Sequence, residues 1–447
     1  MKKITIWTFA LLFVTGSMQA QQKWTLEQCI DYALRNNISI KTSDLNTKSQ
    51  EIKHQQAKNQ RLPNLTGSYS QYLSYGQYLN SYNYYENGNS QSYSAGLSSS
   101  LTIFNGFQTK NTIDVQHFTL LAAIEDLKKA KESIAVNIAS AYLQVLYNKE
   151  LYQVALEQVA LSDSEVIRYE NMASLGKIPE GQVYETKAQL AQDKLSAMQS
   201  LSTLQLSLLD LSQLLDLKEW SNFDIVIPEI DMTSVGLQIS SADEVYDYVV
   251  ANKSDIKGSE YRLKSSEKNL KVTEGALYPT LYFSANYSNS YIPGSTKLSS
   301  SGEFVKANLG DQLNLNSRTT LGLSLNIPIF NRFDTKNNIK LSKFAVESAK
   351  LDLESTKQTL YKEIQQAWFN ATTALVKYNA SVEAINNTEE AFRFSEEKFN
   401  NGRATIYDYS EAKMKLATAK SNQLQAKYNY LFSVKILDFY KGASLHL

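Results

Sequence analysis

Past its first twenty residues this chain has no apolar run approaching the about eighteen residues that a membrane-spanning helix requires. If that part crosses a bilayer, it must do so as a β-barrel, the other architecture that satisfies its own backbone polar groups in lipid. The single cysteine, Cys29, excludes an internal disulfide. Its place inside a predicted helix makes it a small buried apolar residue rather than a reactive thiol. The three histidines, His54, His117 and His446, are widely separated, with no nearby Cys or His to complete a metal set. There is no Gly-rich phosphate loop, Gly-x-Ser-x-Gly elbow or His-Glu-x-x-His pair, so neither an enzyme nor a cofactor is expected. Acid pairs such as Glu389-Glu390 and Glu396-Glu397 lie on long helical stretches, where a solvated face explains them. Charge is balanced at 45 basic and 45 acidic residues, which leaves no footprint for nucleic acid. Proline is scarce as well: none stands between Asn64 and Ile178 or after Pro328, so two very long helices are permitted.

What is present begins with Lys2-Lys3, the apolar Ile4 to Val14 and Gly16-Ser17-Met18-Gln19-Ala20, the pattern of a secretory leader cleaved after Ala20. No cysteine follows to take an amino-terminal lipid.

The chain then repeats itself. Phe104-Asn105-Gly106-Phe107-Gln108-Thr109-Lys110-Asn111 and Phe330-Asn331-Arg332-Phe333-Asp334-Thr335-Lys336-Asn337 agree at six of eight positions, 226 residues apart. Gly176 and Gly402, Glu185 and Glu411, and Leu190 and Leu416 keep the same offset. Upstream, Pro63 and Pro279, like Asn36 and Asn252, are 216 apart, so the second copy carries ten extra residues between its proline and its junction. A duplicated unit organised around a strand-to-helix junction follows.

Each copy opens on a capping pattern, Thr25-Leu26-Glu27-Gln28 or Ser241-Ala242-Asp243-Glu244, and predicts a helix to about Arg61 or Leu277, stopped by Pro63 or Pro279. Period-two stretches follow. Tyr93, Ala95, Leu97, Leu101 and Ile103 alternate with Ser94, Gly96, Ser98, Ser100 and Thr102; Leu321, Leu323, Leu325, Ile327 and Ile329 alternate likewise. One apolar and one small polar face is the signature of a strand between lipid and water, with Leu97, Leu101, Leu321, Leu323 and Leu325 facing lipid. The Asn-, Ser-, Gly- and Tyr-rich stretch from Tyr78 to Gln91 reads as a hairpin loop. Phe104, Asn105, Phe330 and Asn331 mark the strand–helix junctions. Beyond them, Leu201, Leu204, Leu208, Leu211 and Leu215, and Leu360, Ile364, Ala367, Ala371 and Ala374, advance by threes and fours as coiled-coil seams. Helices of this extent would be roughly 100 Å long. Each turns back at a glycine, Gly176-Lys177 or Gly402-Arg403. The expected organisation is a signal peptide at 1–20 and a first repeat at 21–240, with β-hairpin 64–104, helical hairpin 108–217 and a belt segment 218–240. A second repeat at 241–447 has β-hairpin 280–330 and helical hairpin 335–441.

Helix, proline, strand hairpin, IFNGF or IFNRF junction, long helix, glycine turn and long helix, all twice behind a leader, resemble the TolC family of outer-membrane efflux ducts over nearly the whole mature chain. The resemblance implies an α+β membrane protein: a homotrimer whose four strands per chain share a twelve-stranded barrel, above a periplasmic α-helical tunnel. It also implies a periplasmic adaptor and an inner-membrane RND or ABC transporter as partners, adaptor docking at the tips (Gly176, Lys177, Gly402, Arg403), and a pore gate at Asp408 and Glu411. Ala404 and Gln182 depart from the family's latch. Two alternatives stay open: a periplasmic adaptor, which would show one helical hairpin between lipoyl-like halves where this chain shows two hairpins and no such halves, and a coiled-coil surface structural filament, which would have no reason to keep four lipid-against-water strands.

Overall fold

The computed structural model describes residues 23–79, 83–229, 232, 241–443 and 445–446. The leader and most of 230–240 in the belt lie outside them. Helix dominates. In chain order the elements are α1 Leu26–Asn36, α2 Ile38–Asn59, β1 Thr66–Leu79, β2 Tyr85–Asn105, α3 Gln108–Ser174, α4 Glu180–Leu214, α5 Ala242–Asn252, α6 Ser254–Gly275, β3 Thr280–Tyr291, β4 Thr296–Leu298, β5 Phe304–Lys306, α7 Leu309–Leu315, β6 Arg318–Asn326, α8 Asp334–Asn400 and α9 Ile406–Tyr440. They form two compact units: one from the chain up to Thr42, Lys129–Ala251 and Leu360 onward, the other from Ser43–Lys128 and Asn252–Thr359.

Thr25 caps α1 as its sequence pattern demands, accepting from the Gln28 amide at 3.3 Å while Gln28 Oε1 accepts from the Thr25 amide at 3.0 Å. The single helix expected to Arg61 is instead broken at Asn37. That side chain accepts from the Ser39 amide at 2.9 Å, starting α2, and donates to the Leu214 carbonyl at 2.9 Å. An asparagine that caps one helix and reaches another has more to gain from the break than from continuing. The second copy breaks at the matching place, between α5 and α6.

In the unit holding the sheet, strands pair antiparallel in the order β1-β2-β3-β6. The stretch read as a hairpin loop is largely strand: Tyr75 pairs with Asn89, Gln77 with Asn87 and Leu79 with Tyr85. Backbone ladder bonds hold it although its Asn, Ser and Gly carry little β-propensity, which is context-dependent in any case. A bulge between Thr102 and Phe104 sets Phe104 opposite Leu281 and drops Ile103 from the alternation assigned to it. The ten additional residues of the second copy fall where β4, β5 and α7 form. Gln312 of α7 ties them to β3, accepting from the Ile292 amide at 2.8 Å and donating to the Ile292 carbonyl at 3.0 Å.

The other unit has its core where α1, α3, α4 and α9 converge on Cys29, Ile138, Leu146, Leu211, Ile225 and Leu431, each at most 1% exposed. The belt residue Ile225 forms a parallel bridge with Trp24. Lys149 Nζ lies 2.7 Å from Asp224 beside it. On α8, Leu360, Ile364, Ala371 and Ala374 are buried at coiled-coil spacing.

Candidate functional site

The sheet register decides which side chains share a face, because paired residues project to the same side. Leu97 pairs with Tyr287, Leu101 with Phe283, Phe283 with Leu323, Ala285 with Leu321 and Leu281 with Leu325. One face therefore carries leucine and aromatic rings across the strands. The other carries Ser98 beside Asn286 and Thr320, and Ser100 beside Ser284 and Gly322, with Tyr72, Tyr78 and Tyr282 among its bulky members. Leu97, Leu321, Leu323 and Leu325 are 50–70% exposed, so the chain's own atoms do not cover the apolar face. A contiguous apolar surface of this kind meets lipid or a partner.

Both junctions are built alike. Phe104 meets Phe107 edge-on at 5.3 Å, and Phe330 meets Phe333 edge-on at 5.5 Å. Asn105 donates to the Thr109 hydroxyl at 2.8 Å and Asn331 to the Thr335 hydroxyl at 2.5 Å. Each turn needs two left-handed residues: Gly106 and Phe107 in the first, Arg332 and Phe333 in the second. Gly106 has a further constraint, since a Cβ there would stand 2.2 Å from the Gly275 carbonyl oxygen.

The helical turns also match. Gly176 and Gly402 have φ of 66° and 70°. Lys177 N–H donates to Met172 O at 2.9 Å and Arg403 N–H to Lys398 O at 2.8 Å, which closes α3 and α8 with the same left-handed motif. Lys177 and Arg403 are exposed. Behind both turns lies one cluster of Tyr169, Val183, Phe399 and Tyr409, in which the Tyr169 and Tyr409 rings both stack on Phe399, at 6.0 and 4.6 Å.

Of the two acids singled out near the second turn, Asp408 is exposed and caps α9. Its carboxylate accepts from the Thr405 hydroxyl at 2.7 Å and the Thr405 amide at 3.0 Å, which holds it below the usual carboxylate range. Glu411 pairs with Lys415 at 2.8 Å. The structure adds a group that sequence reasoning missed. Lys413, 3% exposed, sends its ammonium to the Ser162 hydroxyl at 2.5 Å, Asp193 Oδ2 at 3.2 Å and the Gln158 carbonyl at 3.4 Å. Ser162 also donates to Asp193, and Gln189 donates to its other oxygen at 2.9 Å. The cluster thus joins α3, α4 and α9 through a satisfied buried ion pair beside a cavity of about 390 Å³ lined by Gln158, Asp193, Lys413 and Met414. Four residues earlier on α9, the Tyr409 hydroxyl is bonded to buried Glu165, whose Oε1 has no hydrogen-bond partner among the described residues. Burial pushes the Glu165 carboxyl above its ordinary range, and neighbouring Asp193 and Glu396 add to the rise against the pull of Tyr409 and Lys413. A lysine two residues after an acid on a helix looks like any solvated charge in sequence, so no local signal could have marked Lys413.

A model of the outer membrane efflux protein family matches residues 29–216 and 245–443. The chain belongs to that family. Toxin and drug export protein A of Aggregatibacter actinomycetemcomitans is 24% identical over 356 residues, spanning 77% of this chain and 71% of its own. Outer membrane efflux protein BepC of Brucella suis is 22% identical over 427 residues, 94% of this chain and 86% of BepC. Among solved structures, the Campylobacter jejuni CmeC outer membrane channel superposes with a TM-score of 0.78 at 19% identity, covering 93% of this chain and 84% of CmeC. The fold is therefore that of the outer-membrane efflux channels. As a member of this family of ducts rather than enzymes, the efflux protein resides in the outer membrane with a periplasmic tunnel.

Two readings of single residues also need revision or completion. Cys29 is fully buried in the core, where burial pushes its thiol up to about 12 and leaves it unreactive. His54 and His117, far apart in sequence, are neighbours in space, with ring centroids 5.3 Å apart. Among the described residues no group of three or more His, Cys, Asp or Glu side chains could hold a metal ion.

Proposed function

We propose that three copies of this efflux protein close a twelve-stranded barrel and act as the passive exit conduit of a tripartite export system. The supporting observation is the sheet: four strands with one leucine-rich and one small polar face, in which β1 and β6 are each paired on one side only among the described residues. Long unpaired edges of 14 and 9 residues invite strand addition. Four strands cannot close, and a dimer's eight would enclose a lumen filled by side chains, so three chains are the smallest closure with room for solute. Family channels act as trimers with a periplasmic adaptor and an inner-membrane transporter; for this chain we assign docking to the tips at Gly176, Lys177, Gly402 and Arg403, and an RND or ABC transporter as the pump. The gate is assigned to Asp408 and Glu411, three residues apart on one helix face. Asp408 carries the larger share of its negative potential, since Glu411 is partly neutralised by Lys415. Cysteine pairs scanned along β1 (Ser70→Cys, Ser74→Cys) and β6 (Thr320→Cys, Ser324→Cys) test the closure. Oxidised outer membranes are expected to yield a cross-linked ladder that ends at three chains; a ladder ending at another number overturns the trimer.

A further inference from the structure

Two of the chain's three histidines, 63 positions apart, meet across α2 and α3. The helices are held together nearby, where the Thr47 hydroxyl donates to the Ala123 carbonyl at 3.2 Å. The rings are 5.3 Å apart between centroids and inclined at 44°, too oblique for stacking. That separation fits another arrangement. A cation about 2.0–2.1 Å from each imidazole nitrogen puts two ligating ring centroids roughly 4.5–5 Å apart, at the tetrahedral angle of Zn²⁺ or the cis angle of tetragonal Ni²⁺ and Cu²⁺. His54 is half-buried and His117 exposed, so a cation has access from solvent.

We propose that His54 and His117 form a two-histidine site for a borderline-soft divalent transition cation, Zn²⁺, Ni²⁺ or Cu²⁺, that clamps α2 to α3. Imidazole selects these ions, whereas Mg²⁺ and Ca²⁺ require oxygen donors. Burial, and then the positive Lys58 one turn along α2, lower the proton affinity of His54. Asp114, one turn before His117, is occupied by Lys268 of α6 at 2.8 Å. The remaining coordination positions fall to water, so the site is open and exchangeable rather than closed and structural. This inference stands independently of the trimer and the gate.

The test uses the full chain, purified in detergent with an affinity tag that contains no histidine, and titrated calorimetrically with Ni²⁺ and with Zn²⁺. One equivalent per chain is expected. His54→Gln and His117→Gln are each expected to weaken binding at least tenfold, with the double variant no worse than either single, because two ligands of one ion act as a unit. His446→Gln is expected to leave binding unchanged and Mg²⁺ to give no heat. Normal elution and helicity of each variant exclude misfolding. A second measurement on the unaltered protein is carbethoxylation of His117, expected to slow at least tenfold when Zn²⁺ is present. Binding that survives both single substitutions, or modification indifferent to Zn²⁺, overturns the site.

Discussion

Removing the ammonium of Lys413 without removing its volume is the sharpest perturbation of the helical unit. Lys413→Met leaves Asp193, whose side chain is 14% exposed, with its bonds from Ser162 and Gln189 but no cation. Asp193→Leu does worse, stranding an ammonium that is 4% exposed with only a hydroxyl and a carbonyl. Breaking a buried pair from one side costs about 3–5 kcal/mol, whereas replacing both partners with apolar residues of similar volume is often neutral or stabilising. Lys413→Met with Asp193→Leu is therefore expected to recover most of the loss of either single change. At roughly 2–4 °C per kcal/mol for a unit of 150–250 residues, each single variant lowers the apparent unfolding temperature by on the order of 10 °C. Circular dichroism of the detergent-solubilised protein at one fixed scan rate measures this, with unfolding rates alongside because large assemblies unfold irreversibly. The loss is expected to be nearly insensitive to salt, since a buried pair is little screened. Additive losses in the double variant would refute the coupling, as would single losses that vanish at high salt.

Other expectations concern protons, lipid, backbone and charge. Because the folded state raises the Glu165 carboxyl above its unfolded value near 4.3, the stability this group contributes is full below that value and is lost as pH rises through the raised one. Glu165→Gln is thus expected to gain on the parent most at neutral pH, with a gap that closes on acidification; a gap constant with pH would contradict the assignment. On β6, Leu323→Arg is expected to cost about 2–4 kcal/mol near the bilayer midplane and Ser324→Arg far less, read as yield of assembled protein in the membrane. Equal losses would reverse the face assignment. Gly106→Ala is expected to abolish assembly, since its Cβ would meet the Gly275 carbonyl, while Arg332→Gly at the matching left-handed position gains about 1 kcal/mol in thermal unfolding. In planar bilayers Asp408→Asn is expected to weaken cation preference and block by multivalent cations more than Glu411→Gln does; unchanged selectivity in the double variant would leave both as helix-end charges.

Sequence by itself determined the parts that depend on near neighbours. Alternation in β2 and β6, the two Phe-Asn junctions, the glycine turns and the capping boxes at Thr25 and Thr405 are all satisfied within a few residues, so their patterns are written locally. Even there, one inserted residue suffices to mislead: the bulge at Thr102/Phe104 shifts the parity that Ile103 was assigned. The Asn308/Asp311 capping box, with bonds of 2.8 and 3.1 Å, was a legible sign of α7 that a search for long amphipathic periods passes over. Tertiary structure alone decided the rest. Asn37 breaks its helix because the Leu214 carbonyl, 177 positions away, accepts from it. Lys413 is buried because Ser162, 251 positions away, and Asp193, 220 away, supply its acceptors. His54 becomes a candidate ligand only once packing brings α3 beside it. A charged or titratable side chain looks the same in sequence whether it meets water or a partner, and only the packing of distant helices determines which.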